Sequence, residues 1–203
     1  MGIRDLARSL GYEGEHIDLG FVLDIPLPEP RMQELERWGR EKASGYEVVT
    51  WVGMPPQQWR EAYCRFHLLD DLELPPEHRN PVPLTVEMLE SQARAYSSES
   101  AWLSIDALIL APDGAPAAHS RVIVPRASGQ GQGQWAVEDW TLVLAAHRGR
   151  RLSALAKLAN LRELAQHSPQ TRTLHAEVPV TDEAMFAVNE RFGYRPATEP
   201  QHA

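Results

Sequence analysis

The sequence predicts an α/β domain built on a mixed sheet, and three observations carry that reading. Strand-like and helix-like patterns alternate over 135–196, in the order strand, helix, strand, helix, strand. Just before them, "AWLSIDALIL" (101–110) and "AAHSRVIVP" (117–125) read as successive strands around the turn "PDGAP" at 112–116. The third observation is size: 203 residues with 43% hydrophobic and 24% charged content suit one soluble globular domain with a substantial core. Strand–helix–strand order implies a parallel pair joined by a right-handed crossover.

Composition narrows the function. No apolar run approaches the length of a membrane span, and the N-terminus lacks the apolar core of a signal peptide, so no membrane contact is expected. Cys64 is the single cysteine, which excludes an internal disulfide and fits a reducing, cytoplasmic setting. The formal charge of −8 argues against a surface that grips nucleic acid.

From the N-terminus, "RDLARSLGY" (4–12) reads as a helix, "HIDLGFVLDI" (16–25) as a strand and "LPEP" (27–30) as a linker. Helices follow at about 30–43, 55–70 and 84–97, with a strand "YEVVTWV" (46–52) after the first. The Pro-rich "PPEHRNPVP" (75–83) separates the last two, and "SGQGQGQ" (128–134) is a flexible loop. "WAVEDWTLVL" (135–144) resumes as a strand. From Leu152, residues Leu155, Ala156 and Ala159 recur at helical spacing until Pro169. "TRTLHAEV" (171–178) is a strand, and "TDEAMFAVNERFG" (181–193) a helix with Thr181 as N-cap and Gly193 as C-cap. "YRP" begins a last short strand.

Between the strand at 135–144 and the helix from Leu152 lies a turn with Arg148, Arg150 and Arg151 around Gly149. A helix N-terminus presents unpaired amides and a partial positive charge, and arginines add charge-assisted bonds to phosphate. On an acidic protein, this local cationic island favours a small anionic ligand. A solvated basic turn is the plainer alternative.

"TLVLAAHRGRRLSALAKLANLRELAQHSP" (141–169) with "AMFAVNERFGYRP" (184–196) resembles the GCN5-related N-acetyltransferase family, above all the second half of its tandem, mycothiol synthase-like members. The resemblance implies a mostly antiparallel mixed sheet, splayed at an acyl-coenzyme A cleft, with helices on both faces. The family's pyrophosphate loop, Q/R-x-x-G-x-G/A, falls here on Arg148, Gly149, Arg150, Arg151, Leu152 and Ser153. Leu142, Val143 and Leu144 correspond to the strand edge that bonds the pantetheine and thioester. Arg151 replaces the first motif glycine and Ser153 the second small residue. Val178 and Asp182 stand where relatives carry asparagine beside the pantetheine arm, and Asn189 where many carry a tyrosine general acid. The implied cofactor is acetyl-CoA or another acyl-CoA as co-substrate, and the implied partner a small-molecule amine.

The resemblance also divides the chain into a helix–strand arm at 1–26, read as the tail of a missing first domain, and a domain at 27–203. The glycine–aromatic pair of "RSLGY" (8–12) is echoed in "ERFGY" (190–194). In the arm, Ile17, Leu19, Phe21, Leu23 and Ile25 give one strand face that is wholly apolar, and a strand without its sheet must pair with its own domain or with a second copy. A homodimer is the expected solution.

Acyl transfer needs a neutral amine, a polarised carbonyl and a proton for the thiolate. Glu138 and Asp139 point to opposite sides of their strand, so at most one faces the acceptor, and Glu138 is the expected base. His119, His175 and Glu177 are the alternatives. Asn189 gives no useful proton, which leaves that step to water. His67, Asp70 and Asp71 lack the partners of a metal motif, so no metal is expected. Two readings stay open: an acyl-CoA-dependent N-acyltransferase, and a degenerate domain of that type that binds or assembles without catalysis.

Overall fold

The computed structural model describes residues 18–73, 82–95, 102–125 and 134–197. The helix expected at 4–12, Ile17, and nearly all of the segments 75–83 and 128–134 lie outside the described residues. The elements are β1 (Asp18–Asp24), α1 (Glu29–Arg40), β2 (Glu47–Val52), α2 (Arg60–Glu73), α3 (Val86–Ala95), β3 (Trp102–Leu110), β4 (Pro116–Pro125), β5 (Trp135–Val143), α4 (Leu152–His167), β6 (Thr173–Pro179), α5 (Glu183–Phe192) and β7 (Arg195–Pro196).

All seven strands join one sheet in the order β2-β3-β4-β5-β6-β1-β7. Every pairing is antiparallel except β5 with β6. Alternation along β3 sorts the two faces: Ile105 meets Met32, Leu35 and Leu158 on one side, and Leu108 and Leu110 meet Tyr63, Phe66 and Leu89 on the other. Helices α1, α4 and α5 therefore cover one face, and α2 and α3 the opposite one.

Helix α4 is rich in Ala and Leu, both strong helix formers, and its first ten positions are buried except Ala159. It can lie this deep because α1 comes close. A Cβ on Gly39 would sit 2.7 Å from a methyl of Leu155, so glycine permits the contact. The stretch at 27–30 is not a linker: α1 begins at Glu29, with a proline in its first turn, where the missing N–H is no loss.

The strand from the N-terminal arm finds both neighbours in its own chain. β1 pairs with β6 from Asp18↔Pro179 to Asp24↔Thr173, and with β7 at Phe21↔Pro196 and Val22↔Arg195. Leu19, Leu23 and Ile25 are buried as the alternation required, and Val22 on the other face is buried too. Because both edges of β1 are occupied, a second copy of the chain is not needed to pair it.

The splay is read directly from the pairing. β5 and β6 are matched only from Trp135↔Thr173 to Glu138↔Ala176. Beyond Glu138, β5 continues along β4 while β6 continues along β1. A cleft opens between them.

Candidate functional site

The head of the cleft is the cationic turn. A short 3₁₀ turn over Ala145–His147 ends at Arg148, after which Gly149 takes φ +75° and Arg151 φ +59° before α4 starts. Two left-handed residues this close curl the backbone so that successive N–H groups point to one side, the geometry of an anion nest. The amides of Gly149, Arg150, Arg151, Leu152 and Ser153 have no hydrogen-bond acceptor within the described residues; the first helical bonds are made by Ala154 and Leu155, both to the carbonyl of Arg151. The positive end of a helix of 16 residues lies behind them. All five residues line a cavity of about 770 Å³.

Arg151 explains how this turn tolerates a side chain where glycine is expected. A left-handed conformation costs a non-glycine residue roughly 1–2 kcal/mol. Its guanidinium donates to the Trp38 carbonyl at 2.6 Å and to Glu41 at 2.7 Å, and stacks 4.6 Å from the Trp38 ring centre. These bonds hold the residue in place and tie the turn to α1. His147 fixes the other side through Nδ1, 2.9 Å from the Tyr46 hydroxyl. Arg148 and Arg150 remain exposed at the rim.

From the turn the cavity runs along the open edge of β5. The Leu144 amide donates to Ala117 on β4, so antiparallel alternation directs the backbone groups of Leu142 to β4 as well, and those of Thr141 and Val143 to the cleft. Arg148 Nε donates to the Val143 carbonyl at 3.2 Å. Opposite this edge, the wall is the end of β6 and the first turns of α5, including Val180, Asp182, Met185 and Val188.

Beneath the inner end of the cavity lies a buried polar chain. Asn160 donates to the Ser120 hydroxyl at 3.1 Å, which lies 2.8 Å from Thr141 Oγ1, which donates to Glu138 Oε1 at 2.5 Å. Lys157 Nζ lies 2.5 Å from Glu138 Oε1 and 2.6 Å from Oε2, and Tyr194 donates to Oε2 at 3.1 Å. Lys157 also donates to Asn189 Oδ1 at 2.9 Å, and the Asn189 amide nitrogen has no partner among the described residues. Burial and the Glu138 carboxylate together push the Tyr194 phenol well above its ordinary range. Of these residues only Thr141 lines the cavity.

No protein-family model and no curated protein matches the chain in sequence. Solved structures do match. The chain is similar to a tandem GNAT protein from the clavulanic acid biosynthesis pathway, with TM-score 0.58 and 22% identity over 96% of this chain and 55% of that one. The chain has the fold of the GCN5-related N-acetyltransferases. Among single-domain matches with this acetyltransferase fold, glucosamine-6-phosphate N-acetyltransferase from Arabidopsis thaliana gives TM-score 0.51 at 14% identity over 76% of this chain and 97% of that one. AAC(6')-Iy in complex with the bisubstrate analogue CoA-S-monomethyl-acetylneamine gives TM-score 0.50 at 13% identity over 76% and 96%. The chain spans about half the length of the tandem protein.

Within the acetyltransferase fold, Leu142, Val143, Arg148, Gly149, Arg150, Arg151, Leu152, Ser153 and Asp182 all line the one cavity. Leu144 does not; it packs with Tyr63 and Trp140 on the opposite face. Asp182, rather than Thr181, caps α5: its Oδ1 accepts from the Met185 amide at 2.9 Å, so its charge faces the positive end of that helix. Val178 is buried against Leu19 in the sheet.

Glu138 and Asn189 are brought together, but under the cavity floor. The Glu138 carboxylate already accepts from Thr141, Lys157 and Tyr194. His119 is fully buried in an aromatic cage, stacked on Trp51 and Phe66, with Nδ1 accepting from Trp140 Nε1 at 2.8 Å. Its proton therefore sits on Nε2, which faces Asp106 Oδ1 at 3.2 Å outside good hydrogen-bonding alignment. Burial among these rings suits a packing residue. His175 lies at the closed end of the β5–β6 pair, and Glu177 faces solvent. Among the described residues, no group of three or more His, Cys, Asp or Glu is placed to hold a metal ion, and no helix is long and apolar enough to cross a membrane.

Lys157 and Asn160 were not singled out from the sequence, although a signal existed. Ser153, Lys157 and Asn160 recur at i, i+4 and i+7, a polar stripe among the otherwise apolar first ten residues of the helix.

Proposed function

We propose that the protein is an acyl-coenzyme A-dependent N-acyltransferase that acylates an amine of a small molecule. The observation that carries this reading is the coincidence of five unpartnered amides, Gly149 to Ser153, with the mouth of a cavity that follows the open edge of β5. Unpaired amides are general at a helix N-terminus, but a row of them curled to one side at the mouth of a cavity fits a pyrophosphate. When bound, an acyl-coenzyme A supplies the activated acyl group. Arg148 and Arg150 would flank its phosphates from the rim, and the backbone of Thr141 and Val143 would bond the extended arm as an added strand would.

Glu138 takes a positioning role in this reading. Its carboxylate is filled by three donors, and its ion pair with Lys157 holds α4 against β5 directly below the cavity. Asn189 orients Lys157. The leaving thiolate takes its proton from water. The single cysteine, Cys64, is buried and unpaired, as suits a reducing, cytoplasmic setting.

One observation favours the second reading, a binding module without turnover: neither Glu138 nor Asn189 reaches the cavity. The two are separated by incubating the protein with acetyl-CoA and a panel of primary amines and following free thiol release. Thiol released only with both present supports the enzyme. Saturable acetyl-CoA binding without thiol release supports the module.

A further inference from the structure

On the face of the sheet away from α4, a second cluster is chemically incomplete. Arg121 on β4 uses one of its five N–H groups, donating to the Tyr63 hydroxyl at 2.8 Å on α2. Its Nε is buried without a partner among the described residues. The Asp139 carboxylate forms only a loose ion pair with the same guanidinium, at 3.6 Å and beyond hydrogen-bond reach, and accepts no hydrogen bond among the described residues. Both side chains are partly open, at 23% and 34% exposure. Trp140 lies under the guanidinium at 5.2 Å and meets the His67 ring edge-on at 5.5 Å. Burial raises the Asp139 acid above its ordinary value, against the pull of Arg121, and lowers His67.

The position of the cluster ties it to the cleft. Pairing between β4 and β5 jumps from Val122↔Glu138 to Arg121↔Trp140, so Asp139 is the extra residue of a bulge. Pairing with β6 ends one residue earlier. Asp139 is thus unpaired on both edges at the apex of the splay. Thr141, where the cavity ends, is two residues further on, roughly 7 Å along the strand. Neither Asp139 nor Arg121 lines the cavity itself; the cluster stands beside its inner end, where β5 and β6 part.

We infer that this cluster binds the acceptor, and that the acceptor is a zwitterion, an amine beside a carboxylate as in a free α-amino acid. A simple amine would satisfy Asp139 and leave the cation of Arg121 facing it. A simple anion would satisfy Arg121 and be repelled by Asp139. A ligand with adjacent opposite charges satisfies both, and the Trp140 and Tyr63 rings offer its side chain an apolar wall. The inference rests on the acyltransferase reading for its chemistry, but its binding test does not need coenzyme A.

The test is saturation-transfer NMR on the full chain with each proteinogenic amino acid as probe, without coenzyme A, followed by calorimetry on the best binder. At least one amino acid should bind, and its amide, which lacks the carboxylate charge, should bind about tenfold more weakly or worse. Arg121→Gln and Asp139→Asn should each weaken binding by a similar factor. Asp139 is the more exposed, so its variant keeps the test informative if Arg121→Gln does not fold. Acetyl-CoA affinity, titrated on the same folded Asp139→Asn variant, should stay at the parent value. No binding by any amino acid, equal binding of the amide, or parent-like affinity in Asp139→Asn would overturn the inference. Amino-acid binding without acetyl-CoA binding would instead count against the acyltransferase reading alone.

Discussion

The ammonium of Lys157 lies 2.5 Å from one carboxylate oxygen of Glu138 and 2.6 Å from the other, with both side chains about 95% buried or more. This pair joins the helix behind the anion nest to the strand that lines the cleft.

Removing one partner of a buried ion pair leaves an uncompensated charge and costs about 3–5 kcal/mol. Lys157→Met should therefore destabilise the fold by that amount in urea unfolding. Combining it with Glu138→Gln should restore most of the loss, because two neutral groups then replace the pair. An additive double variant would show that the two side chains are not coupled. Glu138→Gln alone should lower the unfolding midpoint, a change a pure general base would not produce.

The N-terminal strand is part of the core. Leu19, Val22, Leu23 and Ile25 are each under 10% exposed, and burial of such side chains contributes about 1.5–3 kcal/mol apiece before ordering costs. The total is comparable with the whole stability of a domain, about 5–15 kcal/mol. β7, which pairs only with β1, loses its place as well. Deletion of residues 1–26 should give insoluble or unfolded protein. A soluble deletion variant with the parent's far-ultraviolet dichroism would contradict this.

Asp139 should cost stability at neutral pH. Burial holds its folded pKa above the ordinary aspartate value of 3.8, so the unfolded chain loses the proton first as pH rises. Its favourable contribution is complete below 3.8 and is lost as pH rises through the higher folded value. Asp139→Asn should melt above the parent at pH 7, with the gap closing on acidification. His67 runs the other way: burial depresses its pKa below 6.5, so stability present above that value is lost as pH falls through the folded one. His67→Gln should flatten that part of the profile. Thermal scans across pH for the two variants and the parent check both signs.

Gly149 and Gly114 separate backbone strain from ligand binding. Both take positive φ, +75° and +80°, and a Cβ added to either meets nothing within 4 Å. Valine at each should cost about 1–2 kcal/mol of stability from the left-handed backbone alone. Gly149→Val should also lose acetyl-CoA affinity, because it reshapes the nest. Gly114→Val, in the β3–β4 turn, should keep it. Equal affinities in both variants would place the ligand away from the turn.

The strand, cationic turn and helix of 135–167 were legible because local signals agree there: alternating apolar residues, a glycine between cations, then unbroken helical spacing. Other features were not local. Five alternating apolar residues mark β1 as a strand, but nothing in them says that both its edges are filled from the C-terminal end of the same chain. The prolines at 28 and 30 look like a linker unless the helix they start is known. Glu138 looks like a base on a strand until Lys157, 19 residues away, fills its carboxylate. Arg151 looks like a phosphate ligand, yet the left-handed backbone swings it onto Trp38.

We propose above all that the turn at 149–153 binds the pyrophosphate of an acyl-coenzyme A. Isothermal titration of acetyl-CoA into the full chain and into the Arg148→Glu, Arg150→Glu double variant tests it most directly. The account predicts saturable one-site binding that weakens by about 1–3 kcal/mol for each charge-assisted bond lost. No heat of binding with the parent, or unchanged affinity in the double variant, would contradict it.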